Sequence, residues 1–338
     1  MQVASSRAYQ ALIVISFGGP EGPDEVVPFL ENTLRGRDVG RERMLEVARH
    51  YDSLGGVSPI NAQNRELISA LERELRSHSI ELPIYFGNRN WHPLLADTLK
   101  QMRDDGVREA LAFCTSAYSS YSGCRQYRED IVQAREQIGP GAPEIHKLRV
   151  FFNHPGFVEA NSARIADAFD RLDSSPRVDF PLLFTAHSIP LAMAGGCRYE
   201  DQLKETCRLV AAALGHNQWE LVYQSRSGPP HQPWLEPDVV DRIVQLSGLG
   251  IDRLVLAPIG FLSDHMEVVY DLDGEAADAC QQAGIRMARA ASVGTHPRFV
   301  QTIRQLVQER LEPRPSRAAI GAMGPSHDCC PSDCCLPG

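Results

Sequence analysis

A chain of 338 residues, 43% hydrophobic and 23% charged, has the make-up of a soluble globular protein and the length of about two domains. A net charge of −9 and an isoelectric point near 5.7 count against nucleic acid as a partner, which calls for a basic stripe. No apolar run approaches the roughly 20 residues that cross a bilayer, and Met1-Gln-Val-Ala-Ser-Ser-Arg7 lacks the pattern of a signal peptide, so a cytoplasmic protein without a membrane span is expected.

In chain order, short apolar runs at Ala11–Ser16, Pro83–Phe86, Ala110–Cys114, Pro181–Thr185, Glu220–Tyr223 and Leu254–Ala257 read as buried strands. Amphipathic stretches at Arg41–Tyr51, Ala62–His78, Leu94–Asp104, Tyr127–Gln137, Gly156–Leu172, Tyr199–Leu214, Pro237–Leu246, Gly274–Ala283 and Pro297–Leu311 read as helices. This alternation predicts an α/β fold with parallel sheets. Pro83-Ile-Tyr-Phe-Gly-Asn-Arg and Gly106-Val-Arg-Glu-Ala-Leu-Ala resemble Glu220-Leu-Val-Tyr-Gln-Ser-Arg and Gly250-Ile-Asp-Arg-Leu-Val-Leu, so the chain reads as a duplicated unit. Residues 8–148 form one half and 149–312 the other, with the final helix packing back on the first half and 313–338 a cysteine-rich tail. A cleft between the carboxyl ends of the two sets of strands would carry Phe17, Asn88, Arg89, Ser116, His187, Ser225, Arg226 and Asp264.

The stretch Gly260-Phe-Leu-Ser-Asp-His-Met-Glu-Val-Val-Tyr-Asp-Leu-Asp-Gly-Glu275 carries the most chemistry. Glu267, Asp271 and Glu275 recur every four residues, a spacing that drifts only about 40° per step around an α-helix. Such a row, starting beside His265 at a strand end, can attract and pass on a divalent cation; a solvated helix face has the same spacing. His187, in Thr185-Ala-His-Ser-Ile-Pro190, sits at a rigid corner where imidazole can act as ligand or base, or bond to nearby backbone. Ser16-Phe-Gly-Gly-Pro lacks the glycine spacing and lysine of a phosphate loop. Arg35, Arg37, Arg41, Arg43 and Arg49 make a basic segment that suits carboxylates, or pairs with Glu42 and Glu46. Tyr118, Tyr121 and Tyr127, with Trp234, offer aromatic surface for a flat ligand or for core packing. Of nine cysteines, Cys329, Cys330, Cys334 and Cys335 crowd the tail, a pattern that suits a soft metal, an iron–sulfur cluster or simple redox sensitivity.

Together with Leu54-Gly-Gly-Val-Ser-Pro-Ile60, Tyr85-Phe-Gly-Asn-Arg-Asn-Trp91 and Gln224-Ser-Arg-Ser-Gly-Pro229, these motifs resemble ferrochelatases, most closely the actinobacterial enzymes acting on coproporphyrin III. The resemblance spans residues 8 to 312. It implies two facing Rossmann-like halves of the chelatase type with a cleft between them, and a lyase that inserts ferrous iron into coproporphyrin III for haem synthesis. Protoporphyrin IX is the alternative substrate, and a non-catalytic haem or metal carrier the alternative class. By the same resemblance His187 and Glu267 face each other across the porphyrin as catalytic and metal-binding residues, Asp271 and Glu275 continue the path for metal or protons, and His265 supports Glu267. A π-turn in that helix would bring residues four apart closer to alignment. Porphyrin contacts are implied for Phe17, Arg35, His50, Tyr51, Ser58, Tyr127 and Trp234. Phe17 stands where some relatives have a ligating tyrosine, which excludes an axial role there. A [2Fe–2S] cluster is implied on Cys124 and three of Cys329, Cys330, Cys334 and Cys335, and a downstream haem-pathway enzyme is the implied protein partner.

Overall fold

The computed structural model describes residues 9–36, 40–52, 54–172, 180–228 and 231–337. Two four-stranded sheets form the frame. The first contains β1 (Ala11–Ser16), β2 (Ile84–Asn88), β3 (Glu109–Cys114) and β4 (Glu144–Lys147) in the order β2-β1-β3-β4. The second contains β5 (Leu182–His187), β6 (Trp219–Gln224), β7 (Arg253–Ala257) and β8 (Arg286–Arg289) in the order β6-β5-β7-β8. All the pairings in both are parallel. The same strand order occurs twice, as a duplicated unit requires. In each sheet the order reverses beside its first strand, so the carboxyl ends of β1 and β5 open onto the crevice where such sheets take ligands.

Central strands of parallel sheets are covered on both faces, which is why all six residues of β1 are buried and apolar up to Ser16. The edge strands β4 and β8, Glu-Ile-His-Lys and Arg-Met-Ala-Arg, carry no apolar run and are the two that sequence reading misses. Around the first sheet lie α1 (Pro23–Thr33), α2 (Arg41–Asp52), α3 (Ile60–Ser77), α4 (Leu95–Asp104) and α5 (Gln126–Ile138). There follow α6 (Pro155–Leu172), α7 (Leu191–Gly195), α8 (Tyr199–Leu214), α9 (Val239–Gly248), α10 (Met266–Val268), α11 (Ala276–Gln282) and α12 (Pro297–Leu311). Among the described residues two π-helical segments interrupt this series, Tyr121–Arg125 before α5 and Val269–Glu275 between α10 and α11. The first helix is also absent from the sequence reading. It starts with Pro23 in the first turn, where proline fits, and carries Pro28 inside.

One apolar cluster runs through both halves, joining Leu12, Val14 and Phe113 to Phe157, Phe184 and Phe299. Helix α12 returns to the first half, where Arg304 donates to Glu74 of α3 at 2.8 Å. Arg149 meets Glu309 of α12 through two bonds of 2.7 and 2.8 Å, with both side chains almost wholly buried. The same guanidinium donates to the carbonyl of Ala318 at 2.9 Å, and Asn153 Nδ2 donates to those of Ile320 and Gly324. The tail lies outside the sheets and is pinned to the body by these bonds. Among the described residues, no helix is long and apolar enough to cross a membrane.

Candidate functional site

Strand β5 delivers His187 to its carboxyl end, and the Ser188-Ile-Pro corner is fixed from several sides. Ser188 donates through N to Gln224 and through Oγ to Leu235, both at 2.8 Å, while the Tyr199 hydroxyl donates to the His187 carbonyl at 3.0 Å. His187 Nδ1 lies on the carbonyl oxygen of Ser188. A carbonyl only accepts, so Nδ1 carries a proton, and Nε2 is the nitrogen turned toward Glu267. That nitrogen stands 3.7 Å from Glu267 Oε2, with both side chains partly exposed, at 33% and 46%.

Glu267 arrives from β7 by a loop pressed against β5. A Cβ on Gly260 would lie 2.7 Å from Ala186 Cβ, so only glycine permits this approach next to His187. Gln63 of α3 grips the loop at Asp264, accepting from its N–H at 2.9 Å and donating to its carbonyl at 3.4 Å. His265 caps the short α10 by accepting the Glu267 N–H at Nδ1, 3.2 Å away. Burial lowers the His265 pKa, which keeps the imidazole neutral and able to accept this bond. The expected support of Glu267 by His265 therefore runs through the backbone, with Nδ1 4.0 Å from the carboxylate.

The three acids lie on α10 and the π-segment that follows it. Asp271 accepts the Gln224 amide at 3.2 Å and a short bond from the Ser225 hydroxyl. Ser225 reaches it from a left-handed backbone, φ +61°, a conformation non-glycine residues seldom hold without cause. Burial raises the Asp271 pKa to about 7, and the charges of Glu267 and Glu275 reinforce this against the two hydrogen bonds. Glu275 is raised too, by burial and then by Asp238. A partly neutral relay behind an exposed carboxylate can hand on a proton or a cation without a permanent charge in the interior.

Helix α2 forms the lip. Tyr51 is buried, its phenol raised by burial and by the charge of Glu267, and the His50 ring stacks on Tyr270 with centroids 3.9 Å apart and planes 7° apart. Phe17, 39% exposed at the end of β1, packs edge-on against Phe29, and Arg35 is exposed in the turn after α1. Arg37, Asp38, Val39, Pro229 and Pro230 lie outside the described residues. Trp234, expected among the porphyrin contacts, is instead buried beside the His187 corner, where the bridge between Pro190 and Trp234 holds it.

Other expected surface residues are inside. Ser58 is buried beneath Gly19, and Tyr127 is 4% exposed in the core under the first sheet, with the Arg89 guanidinium 4.6 Å above its ring. Tyr118 is likewise buried, so the tyrosines do not form an exposed patch. Arg89 pairs with Asp130 and Asn88 bonds to Asn61; both brace the fold and neither reaches into the cleft. Gln224, Tyr270 and Gln63 were not legible as site residues, since only tertiary packing brings them to Asp271, His50 and Asp264.

A second cluster lies on the first half. Cys124, in the π-turn before α5, lines a cavity of about 460 Å³ with Lys147, Cys197, His327, Cys330, Cys334 and Cys335. Cys329 is exposed and does not line it. The ligand atoms of His327, Cys330 and Cys334 lie within 4.8 Å of one another, and the Cys334 and Cys335 sulfurs are 3.5 Å apart. A bond from Cys330 and the nearby Lys147 ammonium favour the thiolate of Cys124 against burial, which suits a metal ligand.

The facing parallel sheets define an α/β protein of the chelatase type, and solved structures agree on the fold. SirB from Bacillus subtilis with Fe3+ superposes with a TM-score of 0.56 at 12% identity, covering 90% of this chain and 96% of that one. SirB from the subspecies spizizenii in complex with cobalt gives 0.51 at 9% identity, with the same coverage. Residues 9–311 match the ferrochelatase family. A ferrochelatase of Rhodopirellula baltica is 58% identical over 97% of this chain and 93% of its own. Coproporphyrin III ferrochelatases of Nocardia farcinica and Mycolicibacterium smegmatis are each 50% identical, over 98% and 93% of this chain and 97% and 93% of their own. The chain belongs to the ferrochelatase family, and is a porphyrin metal chelatase.

Proposed function

We propose that this enzyme inserts ferrous iron into coproporphyrin III to give coprohaem, with His187 and Glu267 on opposite faces of the macrocycle. The observation that carries the reading is that β5 and the loop after β7 bring His187 Nε2 and the Glu267 carboxylate to face each other, 3.7 Å apart, at the mouth of the cleft; a porphyrin enters by parting the two. Insertion exchanges two pyrrole protons for one divalent ion, with no change of oxidation state. The imidazole on one face takes up protons while the carboxylate on the other receives iron, so the two fluxes need not cross. Glu275, Asp271 and Glu267 form the iron path, and Ser225 and Gln224 aim its middle member. Phe17 and His50 flank the porphyrin, and Arg35 faces its carboxylates. The acidic Glu42 and Glu46 and the basic Arg43 and Arg49 share α2, so excess positive charge on the lip falls to the turn before it.

Coproporphyrin has four carboxylates to protoporphyrin's two, and the relatives bearing its name cover nearly the whole chain. No apolar helix offers a membrane anchor among the described residues, in keeping with a cytoplasmic enzyme and a water-soluble substrate. Steady-state kinetics with both porphyrins tests the choice. A kcat/KM at least tenfold higher for coproporphyrin III is expected, and a preference for protoporphyrin IX refutes it.

The cysteine cavity fits a [2Fe–2S] cluster held by Cys124, Cys330, Cys334 and Cys335, leaving exposed Cys329 out. When bound, such a cluster supplies a one-electron centre. These four residues would hold it between the π-turn and the tail, drawing residues 330–335 onto the first half. The visible spectrum of the purified protein, with its iron and sulfide content, tests this.

A further inference from the structure

The cavity contains one residue that neither the family resemblance nor the iron path uses. Lys147 ends β4, and its Nζ donates to Cys124 Sγ at 2.9 Å. The ammonium lies inside the cavity that the tail cysteines line, with a thiol sulfur as its hydrogen-bond partner. Further cations face the same thiols through the tail backbone. Arg125 donates to the carbonyls of Ser332 and Cys334 at 2.8 and 3.1 Å, and Arg128 to those of Cys330 and Pro331, both at 3.3 Å. Of the acids lining the cavity, Asp328 pairs with Arg317, and Asp333 is on the exposed tail. Positive charge is thus concentrated on the cysteines, and Lys147 touches a sulfur directly.

We propose that Lys147 is the charge-compensating residue of this metal centre: its ammonium, bonded to Cys124 Sγ, raises the reduction potential of the cluster. The inference rests on the [2Fe–2S] reading above. An oxidised cluster on four thiolates is a dianion and gains a third negative charge on reduction, so a cation bonded to one ligand sulfur favours the reduced form more than the oxidised one. Net charge and hydrogen bonds to sulfur are among the levers that set such potentials. The redox step adds one electron to one ferric ion. In the test below dithionite supplies it, no bond forms or breaks, and Lys147 keeps its proton throughout.

The experiment uses the full chain as wild type, Lys147→Gln and Lys147→Arg, each assayed for iron and sulfide and then titrated with dithionite in the presence of redox mediators. The expected result is a cluster in all three proteins, with the reduced form of Lys147→Gln disfavoured at least tenfold, equal to 59 mV for one electron, and Lys147→Arg close to wild type. Equal potentials in wild type and Lys147→Gln overturn the proposal while leaving the cluster reading intact. If Lys147→Gln loses its cluster and Lys147→Arg keeps it, the requirement for charge is upheld. Loss from both variants overturns it in favour of packing by the lysine itself. A wild-type protein without iron and sulfide overturns the cluster reading, and this inference with it.

Discussion

Replacing Asp271 by asparagine should stabilise the protein at alkaline pH while damaging its activity. An aspartate in water titrates near 3.8, and burial carries Asp271 to about 7. Between those values the folded state holds a proton that the unfolded chain has released, so stability falls as pH rises through the window. At about 1.4 kcal/mol per pH unit, the rise amounts to about 4 kcal/mol, fully felt above pH 7 and absent below pH 4. Asparagine avoids this cost, and its Oδ1 can accept the bonds that Ser225 and Gln224 now make to the carboxylate. Urea unfolding of wild type and Asp271→Asn from pH 4 to pH 8 should therefore give curves that meet near pH 4, separate between pH 4 and pH 7 and run parallel above that, the variant being the more stable. Iron insertion at saturating porphyrin should fall, with KM for iron rising, because the relay has lost its titratable member. In the wild type the same relay closes as the pH falls through about 7 and Asp271 takes up its proton. A variant no more stable than wild type at pH 8, with a parallel pH dependence, refutes the reasoning.

Arg149→Met removes one member of the buried pair with Glu309 and should cost about 3–5 kcal/mol in urea unfolding, whereas Arg149→Met with Glu309→Leu should recover most of it. Gly260→Ala places a methyl group against Ala186 next to His187; about 1–3 kcal/mol of stability and more than tenfold in kcat should be lost, and a variant with wild-type kcat contradicts the packing account. Cys329→Ser should retain the iron and sulfide of the wild type and Cys330→Ser should lose them, as measured by metal analysis; the reverse pattern would reassign the ligands.

Much of the frame was legible because central parallel strands are continuous apolar runs. The first strand matches to the residue, Ala11–Ser16, and the strand expected at Pro181–Thr185 with His187 just past it runs on two residues to end at His187. Of the edge strands, β2 and β6 are legible, but Glu144–Lys147 and Arg286–Arg289 are not, since they carry no apolar run and owe their pairing to a neighbour. The acid row was visible from its spacing, but the helix was read from Gly274 when it begins at Met266, because Gly274 and the π-segment blur the 3.6-residue period. Tyr127 shows the limit on side chains: the period places a tyrosine on a helix, and only the fold reveals which way that helix faces. Lys147 is silent in the sequence for a similar reason, an ordinary residue made chemical by a sulfur from a distant part of the chain, whereas Ser225 is placed in the cleft by the sequence but its bond to Asp271 is not legible there.

The central claim is that His187 and Glu267 act together on a bound porphyrin. Stopped-flow mixing of ferrous iron with the coproporphyrin complex of His187→Ala, alongside equilibrium porphyrin binding by fluorescence quenching, tests it most directly. The account predicts porphyrin affinity within about threefold of wild type and an insertion rate lowered by roughly 10²–10⁴-fold. An insertion rate within tenfold of wild type, with porphyrin bound normally, would contradict it.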